Sequence, residues 1–143
     1  MKISTKGRYS LEALLYLCLL PPGAVASTHT IAEATGISEG YLEQLFIPLR
    51  KAGVLRGTRG SLGGYTLGKT PGRITLSEVL LVVEGPLEPV FCVTDKSCKR
   101  RKNCQSLGIW EDLYRAIRKF TDNLSFADLS RAYGAMEDGS YQI

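Results

Sequence analysis

Three cysteines fall at even spacing in one short segment: Cys92, Cys98 and Cys104, a C-x5-C-x5-C run. Between them lie Asp95 and five cations, Lys96, Lys99, Arg100, Arg101 and Lys102. Thiolate sulfur binds iron and zinc strongly, so three thiols on one loop are a donor set for a soft metal centre. Zinc sites show paired C-x2-C spacing and four protein ligands. This run has neither, which places iron ahead of a zinc knot. Free thiols, with disulfide formation as the sensed event, are the further alternative. Cys18 stands apart in an apolar stretch and reads as a small buried hydrophobe.

The elements around the loop follow from pattern. Tyr9–Leu20 reads as a helix that is apolar nearly all round, closed by Pro21, Pro22 and Gly23. Ala24–His29 reads as a connector. Thr30 and Glu33 form a capping box for a short helix over Ile31–Thr35, with Gly36 as the turn. Ser38 is the N-cap of a second helix, about Glu39 to Lys51, whose core face is Leu42, Leu45, Phe46 and Leu49. Pro48 lies inside it, which predicts a kink or an early end near residue 47. Val54–Arg56 and Tyr65–Leu67 read as two strands of a hairpin with a glycine-rich tip. A second capping box, Thr75 to Glu78, opens a helix through about Val83. Trp110, Leu113, Ile117, Phe120 and Leu124 mark an apolar stripe on a long helix over Leu107–Asn123. Phe126–Ala132 reads as a final short helix, and Tyr133–Ile143 as a frayed tail.

Helix, turn, helix and basic hairpin in that order predict a winged helix-turn-helix. The fold class is mainly α with a small β-hairpin wing, plus a long dimerisation helix. Its parts are a DNA-binding domain over 1–85, a cysteine-bearing loop over 86–106, the dimerisation and short C-terminal helices over 107–132, and a flexible tail over 133–143. The second helix of such a unit enters the major groove by its N-terminus. That places Ser38, Glu39, Gly40 and Tyr41 nearest the bases, with Glu43 and Gln44 one turn on. Gln44 suits adenine, and Glu43 suits cytosine or rejects other bases. Arg50, Lys51 and Arg56 suit phosphate, and Arg59 at the hairpin tip suits a narrow minor groove.

Charge supports this division. Net charge is +4, and no acid occurs from Arg50 to Lys69, where a polyanion would settle. Glu39 and Glu43 count mildly against, because carboxylates repel phosphate. Leu11–Leu20 is too short to cross a bilayer and Glu12 interrupts it, so a cytoplasmic location is expected, with no membrane partner. Structural disulfides are rare there, which again directs the cysteines to metal or redox chemistry. His29 is the sole histidine and reads as a solvated loop residue. No Ser/His/Asp or Cys/His set can be assembled and no Walker sequence occurs, so an enzyme is not expected. A cluster scaffold without a DNA role is the other class, separated by salt-dependent duplex binding.

Several segments together resemble one family. They are the opening Met1-Lys2-Ile3-Ser4-Thr5-Lys6-Gly7-Arg8-Tyr9, the run Tyr41-Leu42-Glu43-Gln44-Leu45, the step Leu49-Arg50-Lys51-Ala52-Gly53 and the wing Arg59-Gly60-Ser61-Leu62-Gly63-Gly64-Tyr65. From residue 1 to about 132 the chain resembles the IscR/NsrR/CymR family of bacterial transcription regulators. The resemblance implies a homodimer on double-stranded DNA with a palindromic operator, and residues Ser38, Tyr41, Glu43 and Arg59 at or near that DNA. It also implies an iron–sulfur cluster, 2Fe–2S or 4Fe–4S, held by Cys92, Cys98 and Cys104. The cluster-bearing branch carries a histidine three residues after the last cysteine, where this chain has Leu107. Glu12 of the partner subunit is the candidate fourth ligand by analogy with relatives. The alternative within the family is a cluster-free, CymR-like repressor, controlled by a regulatory protein partner or by thiol oxidation.

Overall fold

A computed structural model describes residues 2–137 of the chain. Six α-helices and one hairpin run in the order α1 (Thr5–Leu19), α2 (Thr28–Thr35), α3 (Glu39–Lys51), β1 (Leu55–Thr58), β2 (Gly64–Leu67), α4 (Leu76–Glu84), α5 (Leu107–Asp122) and α6 (Phe126–Glu137). Helix, turn, helix and hairpin follow one another as expected. Helix α1 is the hub. It packs on α2, α3, α4, α6 and β2. Ala13 and Leu14 are wholly enclosed, and Leu15 and Leu17 nearly so, together with Ile31, Leu42, Phe46, Leu49, Val54, Ile74, Val79 and Phe126. An apolar helix needs its apolar faces covered in water; the surrounding elements supply that cover except along one face, where Thr5, Arg8, Glu12 and Leu19 are exposed.

The first helix begins four residues before the expected Tyr9. Ser4 sits at its N-cap position, yet its own side chain caps nothing. The cap comes from the far end of α4. Glu84 Oε1 accepts from the Ser4 N–H (2.8 Å), the Ser4 hydroxyl (2.5 Å) and the Gly7 N–H (3.1 Å). A carboxylate at a helix N-terminus meets both the free N–H groups and the positive end of the helix dipole. Residue 7 must be glycine for this contact, because a Cβ there would lie 2.4 Å from Glu84 Oε1 and 2.9 Å from Ile3 Cγ2.

Helix α2 also starts early. Ser27 is its cap, accepting from the Thr30 N–H at 3.1 Å, so the box expected at Thr30 and Glu33 does not form the terminus. His29 therefore lies in the first turn of α2 and not in a connector. Ser38 and Thr75 cap α3 and α4 as expected, accepting from the N–H groups of Tyr41 and Glu78.

Pro48 neither ends nor interrupts α3, which runs to Lys51 with the Ala52 N–H donating to the Pro48 carbonyl at 3.0 Å. An interior proline costs about 3 kcal/mol. Its neighbours Phe46 and Leu49 are fully buried, each contributing about 1.5–3 kcal/mol. Burial outweighs the lost donor.

The hairpin pairs Leu55 with Leu67, Arg56 with Thr66, Gly57 with Tyr65 and Thr58 with Gly64. Ala26 adds a third, one-residue strand through reciprocal bonds with Tyr65 (3.0 and 2.7 Å). A Cβ on Gly64 would meet the Ala26 carbonyl oxygen at 2.2 Å, so glycine permits this approach.

Helix α6 continues to Glu137, beyond the expected end at Ala132; the rest of the expected tail, 138–143, lies outside the described residues. The stripe on α5 is not buried within the chain. Leu113 is 43% exposed and Phe120 64%, as is Ile109.

The remote cap yields a stability test. Gly7→Ala should destabilise the fold by about 1–3 kcal/mol through overpacking, lowering the melting temperature by roughly 3–9 °C. Gly40→Ala, where a Cβ meets nothing, is the control. Equal melting of the two variants would dismiss Glu84 as the cap.

Candidate functional site

Two regions gather the residues singled out by sequence. The first is a cleft of about 700 Å³ between α2, α3 and the wing, lined among others by Ser27, Thr28, Glu43, Arg50, Arg56 and Arg59. Ser38, Glu39 and Gly40 are exposed at the start of α3, and Glu43 and Gln44 are exposed one turn on. Tyr41 is half-buried and meets Tyr9 edge to face at a centroid distance of 5.7 Å, which seats α3 on α1. Arg50, Lys51, Arg56 and Arg59 are all exposed. The Arg50 side chain reaches the wing, its Nη1 lying 3.5 Å from where a Gly57 Cβ would be. Helix end, cleft and wing thus form one cationic surface.

Both acids of this surface are held by neighbours that sequence reading passed over. Glu39 Oε1 lies 2.8 Å from His29 Nδ1, and Glu33 lies 3.3 Å from the other ring nitrogen. The hydrogen bond to Glu39, with the Glu33 charge behind it, raises the His29 pKa above its ordinary value. Glu43 accepts from the Thr28 hydroxyl at 2.6 Å and from the Tyr65 hydroxyl at 2.9 Å. Burial first, and then the Glu43 carboxylate, raise the Tyr65 pKa, so the phenol keeps its proton and donates. Ser27, three residues before Thr30, offered a sequence signal as an N-cap that would place Thr28 and His29 in the first turn of α2. Thr28 and Tyr65 offered none, because their partner is distant in the chain.

The second region is the cysteine loop between α4 and α5. Cys92 lies in a single 3-10 turn, Phe91–Val93, and Cys104 follows another, Arg101–Asn103. All four cysteines are free thiols. Arg101 spans the loop: its guanidinium donates to the Cys92 carbonyl and pairs with Glu111 on α5 at 3.0 Å. Cys104 Sγ lies 3.4 Å from the Ser106 hydroxyl, to which the Trp110 indole N–H donates at 3.3 Å. The Ser106 hydroxyl, with a smaller contribution from the Arg100 charge, lowers the Cys104 pKa below the ordinary thiol value. Burial pushes Cys18 the other way, to about 11, consistent with an inert packing residue.

The donor set suits a thiolate-ligated centre in chemistry, being three thiols on one loop with one drawn towards thiolate. In this conformation the thiols are not assembled. Among the described residues no three His, Cys, Asp or Glu side chains are gathered so that they could hold one metal ion. Glu12 is exposed on α1, and His29 is engaged at the opposite region. No described helix is long and apolar enough to cross a membrane.

Comparison with known proteins gives a consistent picture. The model of the Rrf2 family, described as an iron-dependent transcriptional regulator, matches residues 3–132. The HTH-type transcriptional regulator CymR of Bacillus subtilis is 38% identical over 143 residues, which is 100% of this chain and 99% of that protein. The regulator IscR of Xenorhabdus nematophila is 36% identical over 129 residues, covering 90% of this chain and 79% of the relative. Among solved structures, the global cysteine regulator CymR of B. subtilis superposes with a TM-score of 0.75 at 36% identity, covering 92% of this chain and 98% of that one. T. potens IscR superposes with a TM-score of 0.73 at 34% identity, covering 100% and 94%. These relatives are regulators and not enzymes. With the winged helix-turn-helix, the cationic cleft and this span of likeness together, the chain belongs to the Rrf2 family of transcriptional regulators.

Proposed function

We propose that the chain is a homodimeric, cytoplasmic repressor that reads a palindromic operator and whose grip is set by the cysteine loop. The observation that carries the DNA reading is the cationic cleft joining the start of α3 to the wing. Ser38, Glu39, Gly40, Tyr41, Glu43 and Gln44 face base edges; Arg50, Lys51 and Arg56 neutralise phosphate; Arg59 enters the minor groove. Phosphate contacts release counterions and so write themselves into the salt dependence.

The second copy is argued from α5. Ile109, Leu113 and Phe120 lie on one face of that helix and stay exposed in the single chain. A contiguous apolar stripe of this kind marks a protein interface. A two-fold pairing along α5 gives two recognition helices, as a palindrome requires.

Control passes through residues 86–106, which join the DNA-reading unit to the dimer helix. Cys92, Cys98 and Cys104 would hold an iron–sulfur centre, 2Fe–2S or 4Fe–4S, with Glu12 of the partner subunit as the candidate fourth ligand. Bound there, such a centre would supply one-electron redox chemistry at thiolate-ligated iron. Arg101 fastens the loop to α5 through Glu111, so a change in the loop bears on the dimer helix. That biases two dimer geometries, of which one presents the half-sites at the right spacing. A cluster-free, CymR-like regulator, answering to thiol oxidation or a partner protein, is the second reading. It is favoured by Leu107 in place of the histidine and by a loop whose three thiols are not gathered as one metal-binding group.

Arg56→Gln should weaken binding to every duplex alike and reduce the slope of log affinity against log salt by about 2 for a dimer, near 0.9 per phosphate contact. Anisotropy titrations over a salt series measure it, and an unchanged slope would remove Arg56 from the phosphate set. Phe120→Asp should convert the dimer to a folded monomer in analytical ultracentrifugation; a persistent dimer would locate the interface elsewhere. Cys98→Ala should abolish the visible absorption of anaerobically purified protein while leaving the dimer intact. Full cluster occupancy in that variant counts against the ligand set, and a colourless anaerobic wild type selects the cluster-free reading.

A further inference from the structure

Glu43 occupies an unusual place for an acid. It is exposed on the reading helix, beside a cleft lined by Arg50, Arg56 and Arg59, yet neither of its oxygens is given to an arginine within hydrogen-bond reach. Oε1 takes the Thr28 hydroxyl from the first turn of α2, and Oε2 takes the Tyr65 hydroxyl from β2. Three elements therefore meet at one carboxylate.

The two donors are not free to follow it. Tyr65 is buried, its ring packs edge-on against Phe46 at a centroid distance of 4.7 Å, and its backbone is bonded in both directions to Ala26. Thr28 is set one residue after the Ser27 cap, within a turn closed by the Thr30 N–H. A glutamate on a solvent-facing helix otherwise samples many rotamers. Here both oxygens are tethered to anchored hydroxyls, so the charge has one position.

A fixed carboxylate discriminates more sharply than a mobile one. It tolerates an amino group such as cytosine N4 and rejects acceptors such as guanine O6 or thymine O4. Rejection works only if the offending group cannot move aside, because specificity by repulsion needs the clash to be unavoidable. A mobile glutamate would swing into water and forgive the wrong base. Arg50 lies near the Tyr65 hydroxyl but forms no ion pair with Glu43, which leaves its guanidinium available to phosphate.

We infer that Tyr65 and Thr28 are positioning residues for base discrimination, acting by pinning the Glu43 carboxylate between the recognition helix and the wing. This rests on the DNA-reading assignment above. The test is selection from a randomised duplex library by the wild-type chain, followed by anisotropy titration of the selected duplex and its single-base variants. The proteins compared are wild type, Tyr65→Phe, Thr28→Val, Glu43→Gln and Tyr65→Phe with Glu43→Gln. Tyr65→Phe keeps the ring that packs on Phe46 and removes only the donor.

Tyr65→Phe is expected to lose about fivefold or more of the discrimination at the base pairs sensitive to Glu43→Gln, and at no others. The salt slope should stay at its wild-type value, and the double variant should match Glu43→Gln alone. Thr28→Val should act at the same base pairs, which keeps the test open if Tyr65→Phe melts. Wild-type discrimination retained in both folded single variants would overturn the inference, and so would a uniform loss across all duplexes. If the wild type enriches no sequence, the DNA-reading assignment itself falls and this role falls with it.

Discussion

An apolar helix at the centre of the molecule sets the terms for everything around it. Helix α1 is apolar over most of its circumference, so α2, α3, α4, α6 and β2 close on it and leave only the face of Thr5, Arg8 and Glu12 to solvent. The cost of that arrangement appears at its N-terminus, where backbone N–H groups approach the protein interior. Glu84 satisfies two of them, and the Ser4 hydroxyl besides, from the end of α4. The next residue, Gly85, leads into the segment that carries the cysteines. One carboxylate thereby joins the start of the hub helix to the start of the cysteine loop. The opening residues common to the family resemblance acquire a physical meaning: Ser4 supplies donors, and Gly7 leaves room for the acceptor.

The surface proposed to read DNA is built on that hub by aromatic contacts. Tyr9 on α1 meets Tyr41 on α3, and Phe46 on α3 meets Tyr65 on β2. Edge-to-face pairs of this kind add to the area they bury and constrain orientation. They hold α3 and the wing at a fixed relation, with a cationic cleft between them. The acids on this face, which in isolation would repel a polyanion, are each engaged. His29 partners Glu39, and hydroxyls partner Glu43. The apparent contradiction between acid residues and a DNA interface is thus eased by local partners.

The cysteine loop is different in kind. It is two short 3-10 turns and connecting bends, tied down chiefly by Arg101 and by the Cys104–Ser106–Trp110 contacts. No side chain from Phe91 to Asn103 is fully buried, and the three thiols are not gathered as one metal-binding group. Elements of low local burial are the ones that can rearrange at small free-energy cost. A loop of this construction, joined at one end to α4 and at the other to α5, is built to rearrange rather than to brace the fold.

Much of this was legible in the chain. The order of helices and hairpin, the buried face Leu42, Leu45, Phe46 and Leu49, the caps Ser38 and Thr75, the cationic wing and the cysteine run all follow from local pattern. They do so because periodicity, capping and charge act over a few residues. What lay beyond reach was whatever depends on a partner remote in sequence. The early start of α1 needs a carboxylate 77 to 80 residues away. The survival of α3 past Pro48 needs the burial of Phe46 and Leu49 against α1 and its neighbours. The tethering of Glu43 needs hydroxyls from α2 and β2. Sequence by itself determined which segments are helical, which face of each is apolar and which residues carry charge or thiol. Where helices begin, which acids find partners and whether thiols meet were settled in three dimensions, because those depend on groups brought together in space by burial, which no local pattern encodes.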